Sequence, residues 1–134
     1  PMPKDTPTPD HIRQALATDR VIDITTIGRK SGTPHRIETW FYRADGRLFL
    51  TGSPGKRDWY ANLVQTPEFL FHLKTSVEAD LPARATPITD PEARRAIFTA
   101  ILADNGRPAS DLDAWLAGSP LMEVAIEEYA AAPS

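Results

Sequence analysis

VIDITTIGRKSGTPHRIETWFYRADGRLFLTG, residues 21–52, reads as three strands laid back and forth. Residues 21–27 alternate along β-branched side chains, as a strand with one buried face does. GRKSGTP (28–34) interrupts them with two glycines and a proline, which marks a turn. Residues 35–43 form a second strand that ends at Ala44-Asp45-Gly46. Asp-Gly readily takes the positive-φ conformations that tight hairpins favour, so RLFLTG (47–52) is the returning strand. Alternation along Trp40-Phe41-Tyr42 puts Trp40 and Tyr42 on one face and Phe41 on the other.

Outward from this meander the chain alternates helix and strand signals. Residues 9–19 predict a short helix, with Pro9 in its first turn and Ile12, Ala15 and Leu16 on one face. SPGKRD is a loop, and residues 58–65 (DWYANLVQ) predict a helix with Asp58 as its N-cap. EFLFHLK (68–74) alternates strictly, with Phe69, Phe71 and Leu73 opposite Leu70, His72 and Lys74. Residues 76–88 predict a further strand. Asp90 caps a helix over 91–104 with Pro91 at its first position. Residues 110–118 (SDLDAWLAG) are helical, and LMEVAIEE (121–128) closes the pattern as a last strand. Meandering strands with helices at the corners predict an antiparallel barrel of α+β class, one domain over residues 1–134. A Rossmann glycine motif and a Gly-Lys-Ser/Thr phosphate loop are both absent.

Composition narrows the chemistry. There is no cysteine, which excludes disulfides, thiolate zinc sites and cysteine nucleophiles. No apolar run approaches the roughly 20 residues of a membrane helix, so the expectation is a cytoplasmic protein without an integral membrane segment. The net charge of −3 conceals an asymmetry. Residues 29–57 hold seven basic side chains (Arg29, Lys30, Arg36, Arg43, Arg47, Lys56, Arg57) against Glu38 and Asp45, while the rest of the chain is strongly acidic. A compact basic island attracts a small anion, whereas a long nucleic acid calls for a wider basic surface. The alternative is chance clustering of solvated charges.

Two motifs carry the candidate chemistry. In TTIGRKSGTPHR (25–36), Gly28 and Gly32 allow a sharp turn and a close backbone approach to a ligand. Arg29 offers a two-pronged grip on phosphate, Lys30 a point charge and Ser31 a hydroxyl donor. A polar hairpin turn with merely solvated charges fits the motif equally. In SPGKRDWYANL (53–63), Lys56 and Arg57 precede a helix N-terminus, which itself favours anions. Trp59 and Tyr60 follow, and an aromatic beside an anion site suits a flat conjugated ligand. The plainer reading is that Trp59 and Leu63, four residues apart, pack the helix onto the barrel, with Asn62 a surface polar residue. His11 reads as a surface residue, His72 as solvated or barrel-lining, and His35 as a further donor beside the first motif. Their spacing suits no metal site. No Gly-x-Ser-x-Gly elbow exists, which argues against a hydrolase. The pairs Asp111/Asp113 and Glu127/Glu128 read as solvated surface.

The joint occurrence of TTIGRKSG, the Asp-Gly hairpin and WYANLVQTP resembles the deazaflavin-dependent nitroreductase family, also described as F420-dependent quinone reductases. The resemblance spans about residues 21–75. It implies an FMN-binding split-barrel-like fold with flanking helices. It also implies hydride transfer from reduced coenzyme F420 to a small electron acceptor: a quinone, nitroaromatic or activated alkene. Arg29, Lys30, Ser31 and Gly32 then match the family's phosphate loop, and Ser53, Lys56, Trp59 and Tyr60 lie along the cofactor. Trp40 and Tyr42 become acceptor-pocket residues, and Tyr60 a catalytic proton donor. FMN is the runner-up cofactor. The rivals are an FMN-dependent reductase and a non-enzymatic barrel that carries a lipid or tetrapyrrole. A homodimer is compatible with the fold. The loop from Thr51 to Asp58 is shorter than in many relatives, and Trp40 stands where some place a tyrosine; both bear on substrate identity. If Arg29 sits in a free loop, its removal leaves the stability of the cofactor-free protein unchanged.

Overall fold

The computed structural model describes residues 7–126. Six strands close into one antiparallel barrel: β1 (Val21–Ile27), β2 (Pro34–Ala44), β3 (Arg47–Thr51), β4 (Glu68–Leu73), β5 (Ala79–Pro87) and β6 (Leu121–Ile126). Around the barrel they run β1-β2-β3-β6-β5-β4, and β4 returns to β1. The expected meander is β1-β2-β3, and its hairpin turn holds Asp45 at φ 54° and Gly46 at φ 71°. Helices α1 (Pro9–Thr18), α2 (Asp58–Gln65), α3 (Pro91–Asp104) and α4 (Leu112–Gly118) flank it, with a 3-10 turn at Ala109–Asp111. Glu127 and Glu128 of the expected last strand lie outside the described residues. None of the described helices is long and apolar enough to span a membrane.

Pleat alternation sorts the core into two parts. Inward side chains Ile22, Ile24, Phe41, Leu50, Phe71 and Met122 fill the barrel. Helix α1 adds Ile12 and Leu16, and α2 adds Trp59 and Leu63. The register puts α1 beside the start of β1 and α2 beside its end, so the two helices enter opposite ends of the barrel. A second cluster lies outside the barrel wall, where α3 and α4 cover Phe49 with Ile97, Phe98, Ile101 and Trp115. Tyr42 packs against this outer cluster, and burial there raises its pKa.

Local signals were resolved in three ways. Thr8 and Asp90 cap α1 and α3, accepting hydrogen bonds from the amides of His11 and Ala93. Asp58 does not cap α2: Arg57 occupies the cap position, and Asp58 pairs with Arg29 instead. His72 is neither solvated nor inside the barrel. It faces outward yet is buried, its ring joined to the Thr25 hydroxyl and the Asp80 carboxylate at 2.7 Å each. An imidazole with both nitrogens partnered tolerates burial that an unpartnered one would not.

The barrel's seam is β3 against β6, strands whose paired residues lie 70 to 76 positions apart in sequence. Arg47 spans it, donating from Nε and Nη2 to the two oxygens of Glu123 at 2.9 and 2.6 Å. That guanidinium holds the Glu123 carboxyl below the usual carboxylate range. A depressed folded pKa means the pair stabilises fully above the unfolded pKa and loses its effect as pH falls through the folded one. Glu123→Gln is therefore expected to cost about 1 kcal/mol at neutral pH, since the pair is bidentate but partly exposed. The difference from the parent should close in acid. Urea denaturation of both proteins at pH 7 and pH 3.5 checks this; an equal deficit at both would mean the loss is packing rather than charge.

Candidate functional site

The loops at the α2 end of the barrel form a groove with two lobes. It begins at the β1–β2 loop, where the Gly28 amide donates to Thr33 and the Gly32 amide to Gly28. A Cβ on Gly28 would lie 2.5 Å from Ser31 Oγ and 2.7 Å from His35 Nε2. A side chain at 28 would therefore displace the Ser31 hydroxyl and the His35 ring from where they now sit. Ser31 Oγ and His35 Nε2 share a hydrogen bond of 3.1 Å across it.

Asn62 organises this end, contrary to its reading as a surface residue. It is 6% exposed. Its Oδ1 accepts from the Arg29 amide at 3.1 Å and from Arg29 Nη1 at 2.9 Å, and its Nδ2 donates to Thr26 Oγ1 at 3.3 Å. Arg29 Nη2 also reaches Asp58 Oδ1 at 3.3 Å, while that carboxylate is 92% exposed. Gln65 Nε2 donates to the Arg29 carbonyl. Helix α2 is thus tied to the β1–β2 loop through one arginine and one buried amide. The only legible sign of this in the sequence was the Asn itself, three residues after Trp59.

The first lobe is a cavity of about 460 Å³ lined by Arg29, Lys30, Ser31, His35, Ile37 and Trp59, among others. The second, about 520 Å³, is lined by Lys56, Arg57, Tyr60, Arg94 and Ser119, among others. Arg29 and Asp58 wall both. Trp59 has the structural role expected of it, since it and Leu63 are buried in the barrel core, and it also closes one side of the first lobe. Gly32 shapes the loop without lining a cavity, and Ser53 contributes its carbonyl to Arg57.

Trp40 and Tyr42 are not brought into this groove. Phe41 points into the barrel, so its neighbours point outward, Trp40 half-exposed and Tyr42 beneath the outer helices. The basic island also divides. Arg36 pairs with Asp23, Arg43 donates to the Leu16 and Asp19 carbonyls behind α1, and Arg47 holds the seam. Arg29, Lys30, Lys56 and Arg57 remain at the groove, joined by Arg94 from α3, which no local sequence signal tied to them.

The Asn62 geometry sets two expectations. Asn62→Ala leaves the Arg29 amide and the Thr26 hydroxyl without this partner, at a cost of about 1–3 kcal/mol. Arg29→Ala removes bonds to α2 and should cost about 1 kcal/mol, rather than nothing as a free loop would imply. Chemical denaturation of the two variants measures both; Asn62→Ala as stable as the parent would remove its organising role.

Residues 9–111, well over half the chain, match the family described as F420H(2)-dependent quinone reductase. Solved structures of the same fold include a conserved hypothetical protein from Mycobacterium tuberculosis. It is 17% identical with TM-score 0.71, covering 94% of this chain and 86% of that one. An FAD-binding protein from Mesorhizobium loti is 16% identical with TM-score 0.60, covering 90% and 88%. A structure described as F420 reductase is 20% identical with TM-score 0.57, covering 84% and 90%. At such identities these neighbours establish the split-barrel fold alone, and the family match establishes the family. The chain is an F420-dependent oxidoreductase that belongs to the F420H(2)-dependent quinone reductase family.

Proposed function

We propose that the chain transfers hydride from reduced F420 to a quinone, nitroaromatic or activated alkene, with the cofactor's phosphate in the first lobe. The observation that carries this is the donor set around Gly28. The exposed Lys30 lies there with no ion-pair partner among the described residues, beside the Ser31 hydroxyl, the His35 ring and the Arg29 guanidinium. Cations, a hydroxyl and a backbone stripped of its Cβ suit a phosphate and leave little for an apolar ligand. The residues present therefore fit the group.

Arg29 is held in place by Asn62 before any ligand arrives, which lowers the ordering cost of binding. Lys30 adds charge, and Ser31 donates from its hydroxyl. Trp59 closes the wall and excludes water. When bound, reduced F420 supplies a hydride, two electrons and a proton's nucleus moving together; the protein's part is binding, orientation and water exclusion. The acceptor then needs one further proton. Tyr60, whose side chain lines the second lobe, would donate it and be reprotonated from solvent.

Titration of the purified protein with F420 and with FMN tests the reading. F420 should bind, and more weakly as salt rises, because exposed charge is screened over about 8–10 Å at physiological ionic strength. Lys30→Met should lose about tenfold in affinity, the worth of a charge-assisted bond. Its thermal stability should stay within about 0.5 kcal/mol, as for an exposed side chain. Arg95→Ala, on the exposed face of α3, serves as the control. Tight FMN binding with no F420 binding would overturn the cofactor assignment.

A further inference from the structure

The second lobe is built by the short loop between β3 and α2. The Gly55 amide donates to the Gly118 carbonyl at 3.0 Å. A Cβ on Gly118 would lie 3.2 Å from Pro54 Cβ. The loop therefore docks on the end of α4 and turns a surface cleft into a walled cavity.

The charges of this cavity are unbalanced. Lys56 has no hydrogen-bond or ion-pair partner among the described residues. Arg57 donates only to the carbonyls of Ser53 and Gly55. Arg94 donates to the carbonyls of Ile88, Leu116 and Ser119 and stacks 5.1 Å from the Phe98 ring centroid. Carbonyl partners fix an arginine without neutralising it. Asp58 is the one carboxylate in the described lining, and Arg29 already engages it. Three uncompensated cations thus face one space.

A second observation points to a ligand. Ser119 lines the cavity and is 4% exposed, and its Oγ is buried with no hydrogen-bond partner in the described structure. A buried hydroxyl left unpaired is costly, and its persistence at a site calls for an explanation. The remaining wall is small and apolar or aromatic: Ala61, Ala117, Pro120 and Tyr60. That surface fits the flat body of a conjugated molecule, and the cations fit a carboxylate attached to it, with the unpaired Ser119 hydroxyl buried in the wall behind them.

We propose that the second lobe is the electron-acceptor seat and that it selects flat acceptors bearing a carboxylate. The inference rests on the hydride-transfer reading above. The acceptor is favoured over a carboxylate of the cofactor because the phosphate donors Lys30, Ser31 and His35 line only the other lobe. Tyr60, the proton donor, lines only this one.

The test is calorimetric titration of the full chain, with and without F420, using 4-nitrobenzoate and its uncharged analogue 4-nitrobenzamide. The parent should bind the carboxylate about tenfold more tightly, the ratio expected of one charge-assisted contact set. Lys56→Met should shrink that ratio to below about threefold, each contact of this kind being worth about a factor of ten. Ser119→Ala should weaken 4-nitrobenzoate binding while leaving thermal stability equal or higher, because it removes an unpaired hydroxyl. That variant keeps the test valid if other changes disturb folding. Equal affinity for the two probes overturns the proposal. So does an undiminished ratio in Lys56→Met. If Lys56→Met loses F420 affinity as severely as Lys30→Met, the lobe belongs to the cofactor's own carboxylates, and the acceptor assignment falls. If 4-nitrobenzoate is preferred but F420 does not bind the parent, the hydride-transfer reading fails and takes the acceptor role with it, leaving an anion pocket.

Discussion

Closure of the barrel is the constraint from which the other features follow. Once β4 pairs back onto β1 and β6 onto β3, no edge strand remains and every strand has a fixed inner and outer face. Six strands enclose too little space for anything but side chains, so the interior is filled by Phe41, Phe71, Ile24 and their neighbours. The interior itself is therefore closed to a ligand. Helix α1 occupies one end, and α2 enters the other only as far as Trp59 and Leu63. The polar start of α2 is left at the rim, beside the loops after β1 and β3. The candidate groove lies at that rim, where polar side chains and loop backbone meet.

Asn62 converts that proximity into order. One side-chain amide meets a backbone amide, a guanidinium and a threonine hydroxyl from two other segments. Such a buried, nearly saturated group is stable only in one arrangement, so it specifies how α2 sits against the β1–β2 loop. The cost is that the loop is no longer independent of the fold. Arg29 is a tether as well as a candidate for binding, so on the proposed reading a change there would act on binding and stability together.

The strand periodicity, the Asp-Gly turn and the helix cap at Asp90 are local features, and the chain's elements were legible from them to within a few residues. The β1–β2 loop was legible as an anion candidate because its glycines and cations are contiguous. Of what was not legible, three things depend on pairing across the barrel. The outward direction of Trp40 and Tyr42 follows from which face β2 turns to the core, and alternation alone leaves that choice open. The diversion of Arg36, Arg43 and Arg47 to Asp23, α1 and Glu123 requires knowing the neighbours of each strand. Arg94 and Ser119 reach the groove only because the chain returns through α3 and α4 to β6, more than thirty residues beyond the motif they join.

The Arg29–Asp58 pair stands between the lobes and shapes how charge enters either. Asp58 is almost fully in water, so its hold on Arg29 is weak and screened by salt. Asn62, by contrast, holds the same guanidinium from a buried position and contributes no charge of its own. The arginine is therefore positioned by a neutral group and only loosely neutralised by a charged one. On the proposed reading, an entering anion would compete with the exposed carboxylate for one prong of the fork while the other prong keeps its geometry. Had the two partners been exchanged, with the carboxylate buried and the amide exposed, the cation would have been oriented equally well but largely cancelled. A chain with a net charge of −3 can present a cationic groove because its carboxylates at that end stand in solvent and its buried partners there are amides, hydroxyls and carbonyls.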